Sequence, residues 1–174
     1  SIHKRNGSKT EAVCKTQVRK MEDLEKTLLT TVLEGKWTLT GDLKKADITF
    51  TRSVWRAESG GGLETPRVEV SHDRSRRVQE SDEFFEYSAT VTIRVWSKGS
   101  DDDAITEAKD LKWKMIEEVK RIVSLYKPKG ETNLPTGWDH MLVVSMNNGD
   151  LETLAHPLLA EAITITIRHF WEPS

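Results

Sequence analysis

The chain has one cysteine, Cys14, in 174 residues. That excludes an intrachain disulfide framework and makes a reducing compartment the expected home. Cys14 falls on the apolar face of the first expected helix, which fits a buried thiol better than a nucleophile. No apolar run approaches the roughly 18 residues of a membrane-spanning helix. No hydrophobic segment follows the basic N-terminal residues, so a secretory signal is not expected. Together these absences lead to the expectation of a soluble intracellular protein. Neither charge sign dominates: 26 Lys and Arg against 28 Asp and Glu leave a net charge of -2, which argues against wholesale nucleic-acid binding. Apolar residues make up only 36%, below the usual globular share, so a modest core with solvated arms or shared surfaces is expected.

Recognisable chemistry is scarce as well. The histidines are His3, His72, His140, His156 and His169, and none has a neighbour at metal-ligand spacing. His72 with Asp73 and Asp139 with His140 are adjacent pairs, which point to opposite faces of a strand and do not converge on one ion. Asp101, Asp102 and Asp103 precede a helical pattern, where carboxylates cap exposed N–H groups and complement the helix dipole without any metal. Gly60, Gly61 and Gly62 lack the following Gly-Lys-Ser/Thr of a phosphate loop and read as a flexible connection. No nucleophile motif or dinucleotide fingerprint is present. No catalytic residue, cofactor or metal is expected.

What the sequence does carry is periodicity. Residues 1–8 have none and read as a flexible tail; 9–174 read as a single α+β domain with projecting loops at 56–65 and 72–82. Ser8 or Thr10 caps a helix running to about Leu33, with Cys14, Val18, Met21, Leu24, Leu28 and Val32 in one stripe and Gly35 as its stop. A strand is expected at 46–55 after a turn at Gly41 and Asp42, and a short one at 66–71. The polar stretch 72–82 reads as a long hairpin loop. Residues 84–97 read FFEYSATVTIRVWS, an alternating strand of roughly 45 Å with Phe85, Tyr87, Ala89, Val91, Ile93 and Val95 inward. At that length one end should project beyond the sheet.

The second helix is expected at 101–126, burying Ala104, Ala108, Leu111, Met115, Val119, Ile122 and Tyr126. Strands at 140–146, with Leu142 and Val144 apolar, and at 162–171, with Ile163, Ile165 and Ile167 on one face, close the chain. Between them Asn147, Asn148, Gly149 and Asp150 make a turn. The order implies a mainly antiparallel sheet of about five strands with two long helices packed on one face.

Two features suggest contacts. Lys4, Arg5, Lys9, Lys15, Arg19 and Lys20 face a single acid, Glu11, in the first twenty residues, giving a solvated face or a phosphate-facing surface in which Lys4, Arg5 and Lys9 are the leading candidates. Among six tryptophans, Trp55, Trp96 and Trp171 lie near strand ends, where they either close the core or meet a neighbouring subunit. Basic residues do not interleave with them as a base-stacking platform requires.

The passage EFFEYSATVTIRVWSKGSDDDAITEAKDLKWKMIEEVKRIV, from Glu83 to Val123, follows an N-terminal helix and an opening hairpin. This order resembles the tail-terminator, tail-completion and head–tail joining (neck) proteins of tailed viruses, in which a long strand enters a helix through a short acidic turn. The resemblance implies a structural virion protein without enzymatic activity. It would form a homo-oligomeric ring, commonly a hexamer, around a DNA channel at the head–tail junction or the end of the tail. Implied partners are further copies of the chain, other neck, portal-adaptor or tail-tube proteins, and DNA touched non-specifically in the channel, with no membrane; before assembly the protein would sit in host cytoplasm. On this resemblance Arg74, Arg76 and Arg77 would face the channel or an adjoining ring, and 60–62 would order on assembly. The basic N-terminus and 127–139 depart from the smaller members. Two alternatives stay open: a nucleic-acid-binding module using the basic N-terminus, and a small ligand-binding or enzymatic α+β domain.

Overall fold

Two strands of fourteen residues, each alternating apolar with hydroxyl or charged side chains, form the centre of the sheet. The computed structural model describes residues 24–52, 64–80, 85–99, 104–126, 135, 138–148 and 158–171. Within the described residues helix α1 runs as an α-helical turn, Leu24–Thr27, and continues as π-helix, Leu28–Glu34. Two 3-10 turns follow, Gly41–Leu43 and Lys45–Asp47. Then come β1 (Thr49–Arg52), β2 (Arg67–Glu80), β3 (Phe85–Lys98), α2 (Ala104–Ser124), β4 (Trp138–Asn148) and β5 (Leu158–Trp171). The spatial order is β1-β2-β3-β5-β4. Only β1 and β2 run parallel; every other neighbouring pair is antiparallel. The fold is α+β, on a mixed and mostly antiparallel sheet.

The β3–β5 ladder runs unbroken from Phe85 opposite Trp171 to Lys98 opposite Leu158. On one of its faces Ala89, Val91, Ile93 and Val95 meet Ile167, Ile165, Ile163 and Glu161 in register, and the seven apolar members are fully buried. Each Ile or Val buried in this way contributes about 1.5–3 kcal/mol. Val68 and Val70 of β2 and Met141 of β4 extend the same layer. Met115, Ile116, Val119, Ile122 and Val123 from α2, Tyr126 just after it, and Leu24, Leu28, Leu29, Val32 and Leu33 from α1 complete one apolar cluster.

Position along the sheet is set by two contacts. Near the start of α2, Ser97 Oγ donates to the Ala108 carbonyl at 2.6 Å. Past its end, the Met141 N–H donates to the Tyr126 carbonyl at 3.3 Å. Met141 lies on the rung of Ile167 and Ala89, so the rungs of Tyr87 and Phe85 lie beyond the helix; β3 does not project beyond the sheet as expected, because β2 and β5 pair with it as far as Phe85. Glu118 ties α2 to the chain after α1: it accepts from the Thr38 N–H at 2.8 Å and from Arg121 Nη2 at 2.8 Å, while Arg121 also donates to the Lys36 carbonyl at 2.7 Å. Burial pushes the Glu118 carboxyl up, yet donation by Arg121 and Thr38 outweighs it and holds the pKa below the usual range.

Several expectations are corrected. The stretch 72–80 is strand rather than loop: β2 continues to Glu80 because the long β3 offers a partner backbone, and polar side chains can stay solvated while the ladder satisfies the main chain. Of the strand expected at 46–55, residues 53–55 lie outside the described residues, 46–48 are not strand, and Thr49–Arg52 form β1. Before it the chain stays coiled, held by Trp37 Nε1 donating to the Leu43 carbonyl at 2.8 Å, and Trp37 meets Phe50 edge-on at 5.4 Å. Gly41 has φ +66, the left-handed conformation its turn requires. Gly35 instead keeps helical angles, φ -63 and ψ -30; a Cβ there would stand 3.2 Å from the Thr30 carbonyl, so closeness rather than a left-handed cap favours glycine. In β4 Trp138 and Met141 are buried, the Leu142 side chain lies outside the described residues, and Val144 is 62% exposed because a register shift lies between Val143 and Ser145. Strand β5 begins at Leu158, earlier than expected. Lys112, Ile116, Glu118 and Val123 widen the buried stripe of α2. The tail 1–8, Cys14, the loop 56–63, Asp101 to Asp103 and the turn at Gly149 and Asp150 lie outside the described residues.

Replacing Ile93 by Ala should cost about 2–5 kcal/mol, and Ile93→Asp should abolish cooperative unfolding. Thermal melting reads both; an unchanged transition in the Asp variant would refute this packing.

Candidate functional site: a polar sheet face and a buried histidine

The face of β3 opposite the core carries Glu86, Ser88, Thr90, Thr92, Arg94 and Trp96. Register sets Thr92 beside Ser71 and Thr164, and Thr164 beside Ser145, a rung of four hydroxyl residues crossing four strands. The next rung is Arg74, Thr90 and Thr166; the one after it is Arg76, Ser88 and Arg168.

A β-bulge places the two β2 arginines there. Val68, Val70 and His72 alternate on the core side of β2, opposite Val95, Ile93 and Val91. Strict alternation would carry Arg74 and Arg76 to that same side. The register shift between His72 and Arg74 inserts Asp73 and reverses the phase, so that Arg74 lies opposite Thr90 and Arg76 opposite Ser88. Asp73 is held in place by donation from Ser71 Oγ at 3.0 Å and Thr92 Oγ1 at 2.6 Å. Arg77 falls on the other side, on the rung of Tyr87 and His169. The three arginines singled out in the sequence therefore do not share one surface: Arg74 and Arg76 face together, and Arg77 faces away. Arg168, absent from the sequence-based candidates, joins the first two, and its Nη1 lies 3.4 Å from Glu86 Oε1.

Trp96 is half-buried on the polar face, opposite Arg67 and Ala160. The Arg94 guanidinium lies 5.8 Å from its ring centroid, and its indole N–H is shielded without a hydrogen-bond partner. Arg67 and Glu69 beside it are paired at 2.6 Å. Trp171 ends β5 opposite Phe85, and its side chain lies outside the described residues, as do Trp55, Lys4, Arg5 and Lys9 altogether.

Beyond the end of α2, on the core side, His169 is 3% exposed and neither ring nitrogen has a hydrogen-bond partner. Its ring stacks on Tyr87 at 5.6 Å and 9°, and Trp138 is its register partner on β4. Burial, and then the nearby His72, push its pKa down to about 4. His72 is exposed and shares a hydrogen bond with Ser75 Oγ at 2.9 Å, while its N–H donates to Glu25 Oε1 at 3.0 Å. Sequence reasoning missed His169 because its neighbours come from β2, β3 and β4.

A second buried polar pair was also missed. Lys112 of α2 meets Glu161 of β5 at 3.5 Å, both side chains nearly inaccessible; Glu161 shares the rung of Val95 and must find its cation within the core layer. Among the described residues no group of three or more His, Cys, Asp or Glu could hold a metal ion, and no described helix is long and apolar enough to cross a membrane. Compared with protein-family models and with curated proteins, the sequence matches none.

A histidine held neutral in the fold and free to protonate when unfolded makes the unfolded chain bind more protons between its two pKa values. Stability should therefore fall as pH drops from about 6.5 towards 4, by roughly 2–3 kcal/mol from this group. Urea unfolding across that range should show a slope that His169→Phe removes. An identical pH profile in the variant would contradict the buried, neutral state.

Proposed function

We propose that this protein is a structural component of a tailed-virus virion, assembling as a homo-oligomeric ring at the head–tail junction or the end of the tail tube, as terminator or neck connector. The observation that supports it is the edge strand β4. It lies last in the sheet order, carries no charged residue from Met141 to Asn148, and exposes Val143 and Val144, 42% and 62% accessible. Monomeric proteins usually blunt such an edge with charge, proline or a very short strand. The opposite edge, β1, is a different and shorter surface of four residues. Two unlike edges suit head-to-tail contacts between copies, and repeated head-to-tail contacts with a closing rotation make a ring.

In this reading both helices pack on one sheet face and leave the polar face to neighbours and to the channel. Trp96, Trp55 and Trp171 are candidates for contacts between subunits, alongside the β4 edge, and the partners are other copies and adjoining neck, portal-adaptor or tail-tube proteins.

Native mass spectrometry and light scattering test the proposal. The wild-type protein should form a defined multimer, and Val143→Lys with Val144→Lys should yield a folded monomer, since each lysine sets an ammonium against the neighbouring edge. A wild-type monomer at every concentration, or a variant that assembles as the wild type does, would contradict it.

A further inference from the structure

We infer that the polar sheet face is a sequence-independent binding surface for the phosphate backbone of nucleic acid, carried by Arg74, Arg76 and Arg168 and excluding Arg77. The inference deepens the ring reading and rests on it only for the setting, a channel through which nucleic acid passes.

Three observations support it. First, Arg74 and Arg76 are exposed and, among the described residues, neither has an ion pair or hydrogen bond. A bulge turns both away from the core side of their strand. They stand two residues apart, roughly 6.7 Å along one strand, and Arg168 lies two strands from Arg76, roughly 9.6 Å across the sheet. The ladder thus sets the backbone positions of three arginines on one face, and guanidinium forks match phosphate oxygens in pairs.

Second, the surface between them consists of hydroxyl groups. Ser88 separates Arg76 from Arg168, and Thr90 and Thr166 lie on the rung of Arg74. Short hydroxyl side chains donate to phosphate oxygens and leave room for the backbone to approach.

Third, the acids on this face are already engaged. Asp73 accepts from Ser71 and Thr92, Glu69 from Arg67, and Glu86 lies beside Arg168. An acidic protein segment would also meet three arginines, but its charges sit on separate side chains, whereas a nucleic-acid strand repeats a charged phosphate at every nucleotide. A continuous phosphate chain can use both the arginines and the hydroxyl groups between them.

Binding of a fluorescein-labelled duplex DNA of mixed sequence, followed by anisotropy over a salt series, tests the inference on the full chain. Each phosphate neutralised contributes about -0.9 to the slope of log K against log salt. The combined variant Arg74→Ala, Arg76→Ala and Arg168→Ala should make that slope shallower by roughly 2–3 and lower affinity at least tenfold at low salt. Arg77→Ala should leave both unchanged, and Glu86→Gln should tighten binding by freeing Arg168. Circular dichroism and melting confirm that the variants fold. No DNA binding by wild type, an equal loss in Arg77→Ala, or binding of polyglutamate in preference to DNA would overturn the assignment. Native mass is read on the same samples: DNA binding by a protein that never multimerises would defeat the ring and keep this surface, whereas rings that ignore DNA would do the reverse.

Discussion

The unbroken pairing of β3 with β5 is the constraint on which the other elements depend. It aligns Ala89, Val91, Ile93 and Val95 with Ile167, Ile165 and Ile163 in one buried layer, and α2 can bury its stripe only where that layer exists. The helix covers the rungs from Ser97 to Ala89 and ends there. Beyond it the ladder carries on through the rungs of Tyr87 and Phe85, where Trp138 and His169 are still buried and His169 stacks on Tyr87. The molecule is thus a well-packed centre with an extension of sheet, and its candidate contact surfaces are what the centre leaves over.

Several polar groups are buried, and the two buried carboxylates that face α2 and the chain after α1 each have a cation beside them. Glu118 is satisfied by Thr38 and Arg121, and Glu161 meets Lys112 across the helix–sheet boundary. Replacing both members of a buried ion pair by apolar residues often leaves stability unchanged or improves it, whereas removing one costs heavily. His169 is different, because its ring nitrogens have no partner. It lies on the rung of Tyr87 and Arg77, close to the far end of the β2–β3 ladder, and its neutrality is enforced by burial and by His72.

Much of this architecture is legible in the sequence, for identifiable reasons. The alternation of SATVTIRV and AITITIR has a period of two that no helix could use, and the residues it places inward, Val91, Ile93, Ile163, Ile165 and Ile167, are all buried. The stripe Ala108, Met115, Val119, Ile122 and Tyr126 is legible in the same way. Where one strand depends on another, the sequence is silent. HDRSRRVQE lacks any apolar alternation and becomes strand only because β3 is long enough to pair with it. The bulge at Asp73 separates Arg77 from Arg74 and Arg76, which a linear reading groups together. Arg168 joins them only through the β3–β5 register, and the isolation of His169 depends on neighbours from three other strands. Long-range register is information that local periodicity does not hold.

Amide hydrogen exchange on the native protein tests the central dependence most directly. Amides of β3 from Ala89 to Val95 and of β5 from Ile163 to Ile167 should exchange only through global unfolding, while those of Arg74, Arg76 and Ser88 open locally and exchange faster. Protection in the central ladder no greater than in the distal hairpin would contradict the account.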